Sequence, residues 1–232
     1  NPSSIIKMCE IANDNADVLL KDLHDGTLNP KLSIPPELRA LLQPRMRRDP
    51  ERAKRLERAR ERRAGMLLPA DYWPDLDLIG CWKGGTVGAY VDRFPGWFDP
   101  DGRKGVPVRD WGYPSSEARG SIPLSDDGSG GVLTVATNVY EFVAVDDLEA
   151  NPDDREGWNF LSVNQIKEGQ EYYIFFTTTG GLYRYDINDV IEVIGWYNSA
   201  PVVVFRRKGR GMTSITGEKV SVNQVIDAVE RA

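Results

Sequence analysis

Histidine and cysteine are almost missing from this chain, and their scarcity closes off most metal and thiol chemistry. His24 stands alone, so neither a histidine-rich zinc site nor a two-histidine iron site can be assembled. Cys9 and Cys81 are the only cysteines and lie far apart, which excludes a disulfide framework or a thiolate cluster and makes a reducing, cytoplasmic compartment the expectation. No apolar run approaches the roughly 18 residues of a membrane span, and no basic, then apolar leader opens the chain. Excess positive charge is lacking too. With 29 Lys and Arg against 35 Asp and Glu the formal net charge is -6, which gives no support for a global nucleic-acid or membrane-surface role.

What is present fits a water-soluble globular protein: 41% hydrophobic and 28% charged residues over a length that suits one large domain, or a domain with a subdomain. Asn1 opens the chain without an initiator methionine. Residues 220–232 read as the opening of a helix, with Ser221 as N-cap and Val222, Val225, Ile226 and Val229 on one face. A piece of a longer protein is therefore expected.

Ser3 or Ser4 can cap a first helix whose apolar stripe runs through Ile5, Met8, Ile11, Ala12, Ala16, Leu19, Leu20 and Leu23 to a stop near Gly26. A Pro-punctuated connection leads to Asp49, a cap, and Pro50, suited to the first helical position of an arginine-rich run through Arg63. That run has Glu51, Glu57 and Glu61 spaced to pair with Arg55, Arg58 and Arg62 or their neighbours, which describes a solvated, salt-bridged helix; a nucleic-acid contact is the other reading. Next, LDLIGCW and VPVRDWGY read as strands flanking a Gly84-Gly85 turn and a helix start, an α/β order. Beyond Pro123 come GVLTVAT, YEFVAV, EYYIFFTTT, GLYRYDINDVIEVIGWY and APVVVFRR, short runs that suggest a meandering sheet or a small barrel.

Three stretches could carry chemistry. In YPSSE, an aromatic ring, two hydroxyls and a carboxylate within five residues could stack a base and help hold a hard cation, or simply form a Ser-rich turn. In TTTGGLYRYDINDVIEV, charged residues are interleaved with Tyr183, Tyr185 and Ile187. Asp189 could accept from a ribose diol, or Arg184 could pair with Asp186 or Glu192 on a solvated face. In FRRKGRGMTSITGEK, cations sit beside flexible glycines, as suits a phosphate-bearing ligand or a solvated loop.

Taken together, WGYPSSEARGSIPL, GLYRYDINDV and FRRKGRGMTSITGEK, with NPSS at the start and LIGCWKGGTVGAY between, resemble the auxin-responsive Gretchen Hagen three family of acyl acid amido synthetases, bacterial type, within the adenylate-forming superfamily. The resemblance implies part of the large N-terminal domain of such an enzyme: an α/β subdomain over 1–125 with the adenine-side loop, a β-rich, barrel-like subdomain over 126–206, and a hinge leading to the small domain over 207–232. It implies that ATP and Mg²⁺ convert a small carboxylic acid to an acyl adenylate, whose acyl group passes to an amine or amino acid, with no nucleic-acid or membrane partner. It implies Tyr113 and Ser116 at the adenine, Glu117 at the metal and phosphates as the catalytic residue, and Asp189 on the ribose with Tyr185 beside it. Arg207 falls at the hinge with Lys219 nearby, and Gly84, Gly85 and Thr86 line the acyl pocket.

Two departures stand out. Where the superfamily often has Tyr-Arg-x-Gly-Asp, Asp186 and Asn188 replace the arginine and the glycine. Asn tolerates the left-handed backbone that glycine would supply; the reversed charge requires Asp186 to point away from the nucleotide. The phosphate loop and the lysine-bearing small domain of the superfamily are not in this sequence, so this chain alone is expected to be inactive. An acyl-CoA or acyl carrier ligase of the same superfamily is the enzymatic alternative, and a noncatalytic remnant or interaction module is the alternative of another class.

Overall fold

The computed structural model describes residues 1–213, 220–221 and Ala228. Of the helix expected over 220–232, Val220–Ser221 form a strand and Ala228 is helical, while the other residues of that helix and the hinge lysine Lys219 lie outside the described residues. The chain forms two compact units, neither continuous in sequence. One comprises 3–77 and 92–106; the other comprises 1–2, 78–91 and 107–232.

The first unit is helical. Its opening run forms two helices where one is expected, α1 (Pro2–Asp14) and α2 (Ala16–Asp25). The break has a local cause. Asn15 leaves helical geometry at φ -108°, ψ 20°, and the Ile11 carbonyl accepts both its backbone N–H at 3.1 Å and its side-chain amide at 2.8 Å. Gly26 ends α2 in the left-handed conformation, φ 69°. The buried face differs from the expected stripe: Ile6, Cys9, Ala16 and Leu20 are inside, while Met8, Ile11 and Leu19 are exposed. After a short α3 (Pro36–Leu42), α4 (Pro50–Arg62) starts as expected, with the Asp49 carboxylate accepting from the Arg52 N–H at 2.9 Å and Pro50 in the first turn. Ala53, Leu56 and Ala59 face inward, and Leu56 packs with Ala16, Leu20 and Leu67.

The ion pairs of α4 are mostly long-range and not the expected intrahelical ones. Arg60 binds Asp17, and Arg63 binds Asp71 at 2.9 Å and Asp101 at 3.3 Å; within the helix only Glu57 and Arg60 approach, at 3.9 Å. Two short helices, α5 (Pro69–Tyr72) and α6 (Phe94–Phe98), complete this unit. Among the described residues no helix is long and apolar enough to cross a membrane.

In the second unit the two early strands shrink to a parallel pair, β1 (Ile79–Gly80) on β2 (Val108–Arg109). A three-ten helix follows over Gly85–Arg93, so the glycine turn does open a helical segment. The remainder is a seven-stranded sheet in the order β3-β4-β9-β8-β7-β5-β6, antiparallel throughout. Its strands are β3 (Ser121–Ile122), β4 (Gly131–Leu133), β5 (Val139–Ala144), β6 (Leu161–Ser162), β7 (Glu171–Thr177), β8 (Tyr185–Tyr197) and β9 (Ala200–Lys208). A short α7 (Val145–Ala150) interrupts it, and β10 (Met212–Thr213) pairs β11 (Val220–Ser221).

The sheet is apolar on both faces, and alternation along the strands sorts the residues. Tyr140, Phe142, Tyr172, Ile174, Phe176, Ile191 and Val203 fill one side. Val143, Tyr173, Phe175 and Val190 meet Leu148 and Trp158 on the other. Deleting side-chain volume there leaves a cavity, so Ile174→Ala is expected to cost about 2–5 kcal/mol by denaturant unfolding. Asp49→Ala, which removes one cap, is expected to cost about 1 kcal/mol.

Burial pushes the Cys9 thiol up from an ordinary 9.0 to about 11, and raises Cys81 as well. Neither thiol is expected to react with a disulfide reagent at pH 8 until the chain is unfolded. Because the folded state disfavours the Cys9 thiolate, its contribution to stability is complete below pH 9.0 and is lost as pH rises through about 11, an effect readable in the pH dependence of unfolding.

Candidate functional site

The candidate residues gather where the loop after β2 meets the start of β8. Asp110, at the end of β2, is buried and holds the loop by its carboxylate, which accepts from the backbone N–H of Lys83 and of Gly112, each at 2.5 Å. Burial raises its pKa against the opposing pull of those donors. Gly112 sits at φ 80° with its Cβ position 2.6 Å from the Ser121 carbonyl oxygen, so no side chain fits. The chain then folds back as a tight turn. Ser115 accepts from the Ala118 N–H at 3.1 Å and its hydroxyl donates to the Ala118 carbonyl at 3.2 Å, while Gly120 N–H donates to Tyr113 O at 2.8 Å. One of the paired serines therefore builds the turn, and Ser116 is exposed beside it.

Tyr113 comes out of this loop into the sheet core, only 4% exposed, its ring stacked on Phe205 at 6.3 Å. Its hydroxyl donates to Asp189 Oδ2 at 2.6 Å. Asp189, also 4% exposed, forms an ion pair through Oδ1 with Lys208, its cross-strand partner in β9. Tyr185, two turns of the pleat before Asp189 on the same face, donates to Glu117 Oε1 at 3.2 Å. Glu117 is close enough to act on Tyr113 as well. The Tyr113 phenol is held far above its usual range by burial first, then by the negative charge of Asp189 and the hydrogen bond to it, with Glu117 contributing. The two carboxylates thus converge on a pair of tyrosines on one side of the sheet.

The polar interruptions of β8 have a geometric account. Asn188 adopts φ 57°, the left-handed conformation expected of it in place of glycine, with its N–H on Asp186 Oδ1 at 2.9 Å and its side-chain amide donating to Arg210 O at 3.0 Å. Asp186 lies on the face opposite Asp189. It pairs with Arg155 at 3.0 Å and with Arg210, both of which stand over the Trp158 ring. Arg184 pairs across the sheet with Glu141 at 2.5 Å, and Glu192 pairs with Arg206, so neither of the partners considered for Arg184 is the one used.

Arg207 does not join the carboxylate group. Strand alternation puts it opposite Val190 on the far face, where it binds Glu149 at 3.0 Å beside Tyr173. Gly84 is buried next to Trp82 and Ser129, and its backbone N–H reaches Asp110; Trp82 meets Phe205 edge-on at 6.3 Å, which links the glycine turn to Tyr113. Gly85 and Thr86 form the first turn of the three-ten helix. Among the described residues no three of His, Cys, Asp and Glu cluster as a metal site.

Sequence reading missed Lys208 and Asp110. Lys208 is visible only as one cation in a run of four, and what selects it is register: it is the one opposite Asp189. Removing one member of a buried ion pair costs about 3–5 kcal/mol, whereas replacing both is close to neutral. Lys208→Met is therefore expected to unfold at markedly lower denaturant than wild type, with Lys208→Met/Asp189→Asn recovering most of the loss. Tyr113→Phe, which leaves a buried acceptor short of a donor, is expected to cost about 1–3 kcal/mol in the same measurement.

Residues 1–101 match the GH3 family N-terminal domain and residues 131–208 the GH3 family central domain. Curated relatives include indole-3-acetic acid-amido synthetase GH3.8 of Oryza sativa subsp. indica, 28% identical over 99% of this chain and 37% of that protein, and GH3.4 of Arabidopsis thaliana, 25% identical over 100% and 38%. Among solved structures, a GH3.15 acyl acid amido synthetase superposes with a TM-score of 0.70 at 21% identity, over 99% of this chain and 40% of the other. The AtGH3.15 acyl acid amido synthetase in complex with 2,4-DB superposes with 0.73 at 22% identity, over 99% and 38%. The chain spans less than half the length of each of these relatives. The mixture of helices with a large antiparallel sheet is shared with the part of those enzymes on which the chain superposes. Two domain signatures of one family cover more than half of the 232 residues, and the chain belongs to the GH3 family.

Proposed function

We propose that this chain supplies the nucleotide-binding surface of an ATP-dependent acyl acid amido synthetase, which adenylates a small carboxylic acid and passes the acyl group to an amino acid. The observation that carries this reading is the convergence of Glu117 and Asp189, from separate segments, on Tyr113 and Tyr185. Relatives named as amido synthetases for indole-3-acetic acid support the substrate class. The reading includes a cytoplasmic setting and assigns 207–232 to the hinge and the start of the small domain.

The residues fit such a ligand in kind. Asp189 has one carboxylate oxygen fixed by the Tyr113 hydroxyl and the other facing Lys208; a ribose hydroxyl binds by exchanging with that ammonium, which is then available to phosphate oxygens. Glu117, half-buried and oriented by Tyr185, offers the single carboxylate that Mg²⁺ asks of a protein when phosphates and waters complete its shell. When bound, the ion supplies Lewis-acid neutralisation of the phosphate oxygens. Ser116 is exposed at the turn, which supports a role for its hydroxyl as a donor to a nucleobase edge. Phe205 takes the stacking face of Tyr113, so Tyr113 serves by orienting Asp189.

Equilibrium titration of the chain with labelled AMP tests the binding surface. Because a hydrogen bond to a charged group contributes about 1.5–3 kcal/mol, Asp189→Asn is expected to weaken AMP by about tenfold or more. Glu117→Gln should leave AMP little changed and weaken ATP only when Mg²⁺ is supplied. Equal affinity of wild type and Asp189→Asn for AMP would remove Asp189 from the site. In the full-length protein, acid-dependent pyrophosphate exchange, followed by product mass with an amino acid or coenzyme A offered, decides the acceptor; coenzyme A as sole acceptor would overturn the amido synthetase reading.

A further inference from the structure

The helical unit contains an open cleft of about 910 Å³, within the range that small-molecule sites occupy. One wall is α4. At about 100° per residue Arg52, Arg55, Ala59 and Arg62 fall on a single stripe, with Leu56 beside them, and Leu56 and Ala59 supply an apolar floor. The other wall runs from Ala70 to Leu76 and presents Trp73, 44% exposed, its ring fixed edge-on against Tyr72 at 4.8 Å. Arg52 donates to the Tyr72 carbonyl at 3.0 Å and ties the walls together.

The charge of the cleft is one-sided. No glutamate of α4 lines it. Of its three aspartates, Asp49 is spent capping the helix and Asp71 is held by Arg63, which leaves Asp75 alone on the rim. Among the described residues Arg55 and Arg62 form no ion pair. Two uncompensated guanidinium groups, an exposed indole and an apolar floor together describe recognition of a flat apolar body carrying an anionic group: the indole stacks the body, and the planar guanidinium groups take a carboxylate, sulfonate or phosphate.

We propose that this cleft is a second ligand site, separate from the carboxylate pair near Tyr113, and that it takes a small planar aromatic anion. Titration with 8-anilinonaphthalene-1-sulfonate tests this, with N-phenyl-1-naphthylamine, the same skeleton without the sulfonate, as the charge control. The sulfonate is expected to bind saturably with one site per chain and at least tenfold more tightly than the neutral control. Arg55→Gln/Arg62→Gln, two exposed positions, should cut its affinity at least tenfold and leave the neutral probe unchanged, while Trp73→Ala weakens both. AMP should not displace the probe, a result that holds whether or not the nucleotide reading is correct. Sulfonate affinity indifferent to both variants would overturn the assignment, as would displacement by polyglutamate at lower concentration than by an aromatic carboxylate, which would mark an acidic protein surface as the occupant.

Discussion

A carboxylate buried between a phenol and an ammonium sets the arrangement of one end of the sheet unit. Asp189, at 4% exposure, is held by Lys208 and Tyr113, and each of those partners arrives from a different segment. Lys208 fixes the register of β8 against β9. Tyr113 fixes the loop after β2, whose serine turn carries Glu117 toward Tyr185. The site is therefore assembled by one electrostatic constraint that draws three stretches of chain together, and the surrounding aromatic packing of Phe205 and Trp82 follows from where Tyr113 must stand.

The sheet also resolves an apparent conflict in the tyrosine-rich strand. Asp186 and Asp189 lie an odd number of residues apart, so a pleated strand sends them to opposite faces, and each face has its own cations: Lys208 for one, Arg155 and Arg210 for the other. A charge that reads as a reversed ligand is instead an anchor for Trp158 and the arginines above it. Asn188, in the left-handed conformation between them, lets Gly209 donate to its carbonyl at 2.8 Å and closes the end of the strand pair.

What the sequence disclosed divides by range. Asp49 with Pro50, Gly26 and Asn188 act on their own backbone within a few residues, and their roles were readable without tertiary information. The break at Asn15 is also local, a change of backbone dihedrals at one residue, but the same side chain is compatible with an unbroken helix. Ion partners were not readable. The carboxylates that hold Arg60, Arg63, Arg184 and Arg207 are distant in sequence or across a strand, and charge pattern along one helix or strand carries no information about register. The paired serines were legible as a motif and equally as a turn; Ser115 serves the turn, and the motif reading rests on Ser116 and Glu117.

The helical unit is split in sequence, and several of its fastenings come from the later piece: Arg93 reaches Glu10 at 2.8 Å, and Asp101 meets Arg63. During synthesis the first 77 residues emerge with Glu10 lacking its arginine and with half of the Arg63 clamp missing. That unit can close only after residues 78–91, which belong to its neighbour, have already left the ribosome, so the order of translation interleaves the maturation of the two.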